Sequence, residues 1–424
     1  MILIYVPKIT PRIEYIFTWI FSEVLELKTI LTEDIESFTL DPISIKIEYN
    51  YIPVSSYLFY PCHDLLFEDN IKTQRIEEII CNNFTALFRP KEIVESKNFD
   101  LFASAFYLIS RYEEYFPCMK DNHNRYLPEQ SVAFRFNFLN KAMVNRYIDA
   151  IQENLTTFYP EYSKKNIQAK SLYTLDIDHA FYAKNVRLEK FLKRNILTLF
   201  QAEEKDKYDT YDFIYTTLNE KKVEHKTFLL CPENPHKNDH FNKREDEAFI
   251  ELTKILNNKT DLNIHPSYNS LNQKNIIEEE KNWLEKKIDK KIESSRFHFL
   301  RFDIEFFYAS TLLKNHIQSD FSMTYGYYAG FRSSTSLPFY FFDLKNNSKT
   351  LLKIYTPCFM DSTFEYYATS DEHKYIQAKD SYTSLQEEIK NYGGIFIPIF
   401  HNDLMAKKEW KSIFEQSLKS TPCE

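Results

Sequence analysis

Glycine is nearly missing from this chain: four residues in 424, at positions 326, 330, 393 and 394, where about 7% would be average. That scarcity excludes a Gly-rich phosphate loop, a dinucleotide-binding G-x-G-x-x-G and a G-x-S-x-G nucleophile elbow. The six cysteines (Cys62, Cys81, Cys118, Cys231, Cys358 and Cys423) form no C-x-x-C pair and no cluster, so nothing points to a thiolate metal site. The start of the chain lacks the basic and apolar regions of an export signal, so reduced thiols in a cytoplasmic protein are expected. No basic excess exists either. A net charge of −8 leaves nothing to neutralise phosphates and argues against a nucleic-acid partner. The longest apolar run, residues 395–400, contains Pro398 and is far too short for a transmembrane segment.

What remains is ordinary for a large soluble protein: 43% hydrophobic and 27% charged residues with ample length for a core. Length alone predicts about two to three domains, fewer if one is a barrel of roughly 250 residues. The 37 Phe and 30 Tyr accompany abundant Lys, Asn and Ile, a pattern of codon drift that gives aromatics a core role by default. The same drift implies that the surviving glycines hold backbone positions only glycine tolerates.

Periodicity supplies the elements. A buried strand opens the chain, and Thr10-Pro11 caps an amphipathic helix to about Leu27. Residues 43–49 alternate as a half-buried strand, and residues 99–115 and 143–158 carry apolar helical faces. A polar stretch at 160–171 marks a boundary between a smaller α/β domain, residues 1–165, and a second domain, residues 170–424. Beyond it, strands at 227–231, 262–265, 296–302 and 395–400 alternate with helices at 276–292 and 306–316. A last helix ends on Gly393 as a left-handed cap. Such alternation predicts a parallel α/β fold with function at the C-terminal strand ends.

Those ends carry the chemistry. Tyr173-Thr174-Leu175-Asp176-Ile177-Asp178-His179 closes a strand with two carboxylates about 7 Å apart on one face, where one can hold a metal and the other act as base. His265 ends the next such strand, Arg296 and His298 sit on another, and His401 ends the last. One histidine at a strand end is usually structural; the same chemistry at successive ends points to a site. The loop holding Asp121, His123 and Arg125 reads as structural.

In this order the motifs resemble the polysaccharide deacetylase family, metal-dependent carbohydrate esterases of the chitooligosaccharide deacetylase type, over roughly residues 170–404. Residues 110–115, Asp320-Phe321-Ser322, the segment 325–332 and Met360-Asp361 are similar to a bacterial branch with an extra N-terminal α/β domain. The resemblance implies an irregular (β/α) barrel, a divalent metal (zinc expected), and an N-acetylated amino-sugar glycan or glycan precursor as substrate. It implies Asp176 as base, Arg296 as its orienting partner and His401 as general acid. Asp178 and His265 become metal ligands, and Tyr325, Tyr327 and Arg332 candidate substrate contacts.

Two motifs depart from the family. Asn269 replaces the second histidine of H-x-x-x-H, and an amide oxygen is a poor zinc ligand. His298 and Leu300 replace the proline and glycine of R-x-P-x-G. His298 can supply the lost imidazole, with His179 as the competitor. Two readings therefore stand: a working deacetylase acting on a cytoplasmic precursor, or a degenerate fold that binds carbohydrate or scaffolds glycan synthesis. A carboxylate-pair glycosidase would need acids on separate strands.

Overall fold

The computed structural model describes all residues except 92–98, 183–205, 240–241, 272, 274, 305–307, 369, 371 and 420–424. Two parallel sheets organise them. The first joins β1 (Ile2–Tyr5), β2 (Thr29–Thr32), β3 (Lys46–Asn50) and β4 (Leu58–Pro61) in the order β2-β1-β3-β4. The Thr10 hydroxyl accepts from Ile13 N, capping the helix Pro11–Phe17 as its sequence predicts. That helix then widens into a π-type turn, Thr18–Val24. The strand expected to be half-buried is buried on both faces. Its outward Lys46 donates to Thr39 O and Tyr57, and Glu48 accepts from Val54 N and Ser55 N. A two-stranded hairpin of β5 (Ile79–Ile80) and β6 (Thr85–Ala86) follows.

The larger sheet contains β7 (Ala169–Ile177), β8 (Glu224–Leu229), β9 (Asp261–Ile264), β10 (Ser294–Ser295), β11 (Ser319–Asp320), β12 (Phe339–Asp343), β13 (Ser348–Ile354), β14 (Phe359–Met360), β15 (Gly394–Phe396) and β16 (Pro398–His401). Its order is β12-β13-β11-β10-β9-β8-β7-β16-β14, with β15 also on β7, and every pairing is parallel except β12–β13. The sheet does not close on itself among the described residues, so the expected barrel is here an open, mixed α/β sheet with an antiparallel edge. The strand expected at 296–302 is a second correction. Pairing ends at Ser295, and His298–Leu300 turn tightly with Phe299 and Leu300 at φ +59° and +53°. Leu300 thus adopts the left-handed backbone that glycine favours, at the position where the resembling motif has glycine. The helix expected from residue 306 runs Tyr308–Lys314, its first residues lying outside those described.

The first third of the chain packs directly on the antiparallel edge of this sheet. Trp19 Nε1 donates to Pro338 O at 3.1 Å and the Tyr15 hydroxyl to Tyr340 O at 2.7 Å. Tyr15 meets Phe342, and Trp19 meets Phe339, through their rings. A buried ion-pair cluster joins the same two regions. Arg332 holds Glu114 with two hydrogen bonds, 2.9 and 2.6 Å, and Glu114 also accepts from Arg111 at 2.8 Å.

Gly330 sits at that junction with φ +143°, and a side-chain Cβ there would stand 2.4 Å from Leu139 O. Gly330→Ala should therefore cost at least about 1–3 kcal/mol, seen as a lower urea midpoint; an unchanged midpoint would show that the loop relaxes freely. At Gly393 the expected left-handed cap is only half right: φ is +75° but ψ is extended at 175°.

Candidate metal centre and active site

The larger sheet presents its C-terminal strand ends to one cavity of about 310 Å³, whose walls include Asp176, Asp178, His265, His298 and His401. Parallel register does the assembling. His401 lies directly opposite Asp176, Asp176 opposite Phe228, and Ser295, just before Arg296, opposite Ile264. Leu175 and Ile177 point into the core, which turns Thr174, Asp176 and Asp178 to the other face. Asn242 ties the strand ends together by donating to Asp178 O and Leu230 O at 3.0 and 2.9 Å.

Asp176 is 3% exposed and takes a 2.6 Å hydrogen bond from Arg296 Nη1. The same guanidinium donates to Thr174 Oγ1 at 2.8 Å and Phe321 O at 3.1 Å, and it lies over the Phe228 ring. Every face of Arg296 is thus committed. Asp320 braces this arrangement from below, accepting from Ser295, Ser322 and Tyr308.

Asp178, His265 and His298 bring one donor atom each within 4.8 Å of one another. Their outer hydrogen bonds define what the inner atoms can do. His265 Nδ1 contacts Arg296 O at 2.5 Å; a carbonyl only accepts, so Nδ1–H is the donor and Nε2 is the nitrogen left to face Asp178. Nε2 stands 3.1 Å from Asp178 Oδ1, a buried oxygen with no aligned hydrogen bond. A proton or a metal ion can bridge the two. His298 repeats the pattern, with Nδ1 held by Asp239 at 2.8 Å and Nε2 3.4 Å from Asp178 Oδ2. Imidazole donors backed by a carbonyl and a carboxylate are the usual supports of a metal centre, and two nitrogens with one carboxylate suit zinc. The residues present therefore fit a divalent ion.

Charge agrees with this arrangement. Burial works against ionising Asp178, yet attraction to His298 keeps its carboxyl well below the usual range. Burial lowers the basicity of His298, but Asp178 and Asp239 outweigh it and raise the imidazole to about 9. At pH 7 a cation entering this site must displace that proton. Loading is expected to release about one proton per site at pH 7 and to weaken as pH falls. Calorimetry in buffers of different ionisation heat would count the protons, and a count of zero would contradict the ligand set.

His401 stands across the cavity. Its Nδ1 contacts Asp361 Oδ1 at 2.6 Å, its backbone N–H donates to Asp361 Oδ2 at 2.8 Å, and its Nε2 is 3.9 Å from Asp178 Oδ2. Burial opposes the charged ring, but Asp361 raises it to about 10, so it is protonated at neutral pH.

The other expected residues fall elsewhere. Asn269 lies in the turn Tyr268–Leu271, and the three donors converge without it. His179 lines the cavity beside Tyr208 but is outside the donor set. The expected substrate contacts have partners of their own. Tyr325 is buried against Arg111, Arg332 is committed to Glu114, and Tyr327 donates to Asp121. None of the three lines the cavity.

Sequence reasoning passed over Asp239, read the loop of Arg125 as structural and gave Asp361 no role. Asp361 was visible as a landmark beside Met360. Asp239 sits in a loop that leaves a strand end but reads like any polar loop. Asp239→Asn should weaken metal affinity about 10–100-fold in a chelator competition; unaltered affinity would mean that His298 needs no support.

The sequence profile of a family of unknown function, DUF7033, matches residues 2–160. No curated protein matches the chain. Among solved structures, a candidate polysaccharide deacetylase from Mycobacterium smegmatis is similar at TM-score 0.41 and 11% identity, over 61% of this chain and 85% of that one. The polysaccharide deacetylase Bc1974 from Bacillus cereus is similar at TM-score 0.32 and 9% identity, over 60% and 87%. Both likenesses are weak, and the chemistry of the site is read from its own geometry. No helix among the described residues is long and apolar enough to cross a membrane.

Proposed function

We propose that this protein is a metal-dependent hydrolase that removes an N-acetyl group from an amino sugar in a glycan or glycan precursor. The observation that carries the reading is the convergence of donor atoms of Asp178, His265 and His298 within 4.8 Å, set between an arginine-held carboxylate and a carboxylate-held histidine. The sugar comes from the motif resemblance. The cavity is at the small end of ligand pockets, roughly 300–1,000 Å³, and suits one sugar unit. Tyr366 and Tyr367 stand at its edge, where exposed rings can meet the apolar face of a pyranose.

Asp178, His265 and His298 would hold the ion, which when bound supplies Lewis acidity for the acetamide carbonyl and for a water. Asp176 takes the proton of the attacking water. Arg296 aims that carboxylate, occupying one oxygen and leaving the other for the water. His401 enters protonated and returns a proton to the leaving amine from Nε2, because Asp361 fixes Nδ1–H. Burial strengthens each of these interactions. Acetate released from an N-acetylated chitooligosaccharide, lost on chelation and restored by zinc, is the expected result. Stoichiometric metal without acetate release from any N-acetylated sugar would favour the carbohydrate-binding alternative.

A further inference from the structure

One cavity wall comes from the first third of the chain. Arg125, in the polar loop 121–126, lines the same cavity as the metal donors and is only 7% exposed. Three anchors fix it. Its Nε donates to Asp121 Oδ2 at 2.7 Å, its Nη1 donates to Phe299 O at 3.1 Å, and its guanidinium lies 4.8 Å from the centre of the Tyr327 ring. Asp121 is fixed in turn, accepting from Arg125 N and from the Tyr327 hydroxyl, both at 2.8 Å. Gly326 leaves the space for this approach, since a Cβ there would stand 2.5 Å from Nη1.

Nη2 is different. It is buried, and no acceptor is aligned with it among the described residues. The neighbouring Tyr327 hydroxyl gives its proton to Asp121. An orphan N–H is costly when desolvated, and more so on a charged guanidinium. Surface-loop drift does not account for an arginine held on three sides in the wall of a reaction cavity with its fourth side unpartnered. Resting on the hydrolase reading, we propose that Arg125 Nη2 is a substrate-recognition donor. It takes an oxygen acceptor of the sugar, a hydroxyl remote from the scissile acetamide. Asp121 already balances its charge, so a neutral oxygen suffices. The segment before residue 160 thereby completes the substrate site of the larger sheet rather than standing apart from it.

The test uses the full-length, zinc-loaded protein and tri-N-acetylchitotriose. Arg125→Gln is expected to raise KM about 10–100-fold, the equivalent of one charge-assisted hydrogen bond, with the loss falling on KM and not on kcat or zinc content. Gly326→Ala keeps the arginine but pushes its flexible end aside. It should raise KM similarly, and the double variant should add little to Arg125→Gln alone. If Arg125 only braces the turn that carries His298, Arg125→Gln will lose zinc or kcat while Gly326→Ala leaves KM unchanged, and the proposal fails. Unchanged KM in both variants, with the wild type active, overturns the proposal and leaves the hydrolase standing. A wild type that neither cleaves nor binds the probe removes the hydrolase reading and this proposal together.

Discussion

Asp176→Asn is expected to lower kcat by about 10²–10⁴-fold, the usual worth of a general base, with zinc bound at wild-type stoichiometry. His298→Gln is expected to do the reverse damage: weaken zinc affinity by more than about 100-fold, beyond the effect of losing only an outer support, and lose activity through loss of the ion. The contrast follows from where each group points. Asp176 spends one oxygen on Arg296, and its other oxygen is 3.9 Å from His265 Nε2, so it borders the ion site without belonging to the close donor set. His298 Nε2 belongs to that set. Metal analysis and acetate release on the two purified variants decide the matter. Zinc stripped by Asp176→Asn would show that the two aspartates share one role. Full zinc retention in His298→Gln would move the third ligand elsewhere, with His179 on the cavity wall as the competing candidate.

The shared face of the two aspartates was legible in the sequence because it depends on local rules, whereas the division of their roles rests on the motif resemblance. Strand alternation puts Asp176 and Asp178 on one face, and parallel βα order puts His265, Arg296 and His401 at the same sheet edge. What the sequence could not show was the backbone at 296–302. Seven residues, three of them Phe, read as a strand, yet pairing stops at Ser295 and two non-glycine residues turn left-handed. That turn carries His298 into the donor set, and tertiary hydrogen bonds hold it: Arg125 to Phe299 O and Arg301 to His123 O. Contacts separated by about 175 residues leave no local periodic signal. The partners of Tyr325 and Arg332 were hidden for a related reason. Polar and aromatic side chains near a glycine look like ligand contacts, but Glu114 and Arg111, more than 200 residues away, had already claimed them. The open order of the sheet among the described residues was also invisible, because the antiparallel β12–β13 edge is a matter of connection and not of composition.

Arg296→Met should destabilise the fold by about 3–5 kcal/mol, because removing one partner of a buried ion pair strands the other charge. Arg296 and Asp176 are both almost wholly buried, and the pair is 2.6 Å long. Methionine fills much of the aliphatic volume and can keep contact with the Phe228 ring, so lost packing contributes little. Asp176 would face the interior with Thr174 as a neutral neighbour, and Thr174 Oγ1 and Phe321 O would each lose a donor. Neutralising the stranded acid tests this account. Arg296→Met combined with Asp176→Asn should recover much of the loss, an interaction energy of about 0.5–3 kcal/mol, measurable as the urea midpoint of each single variant and the double. Simple additivity would mean that the arginine's contribution lies in its carbonyl and hydroxyl contacts. Its role as the holder of the base would then fall, even if Asp176 itself proved essential for turnover.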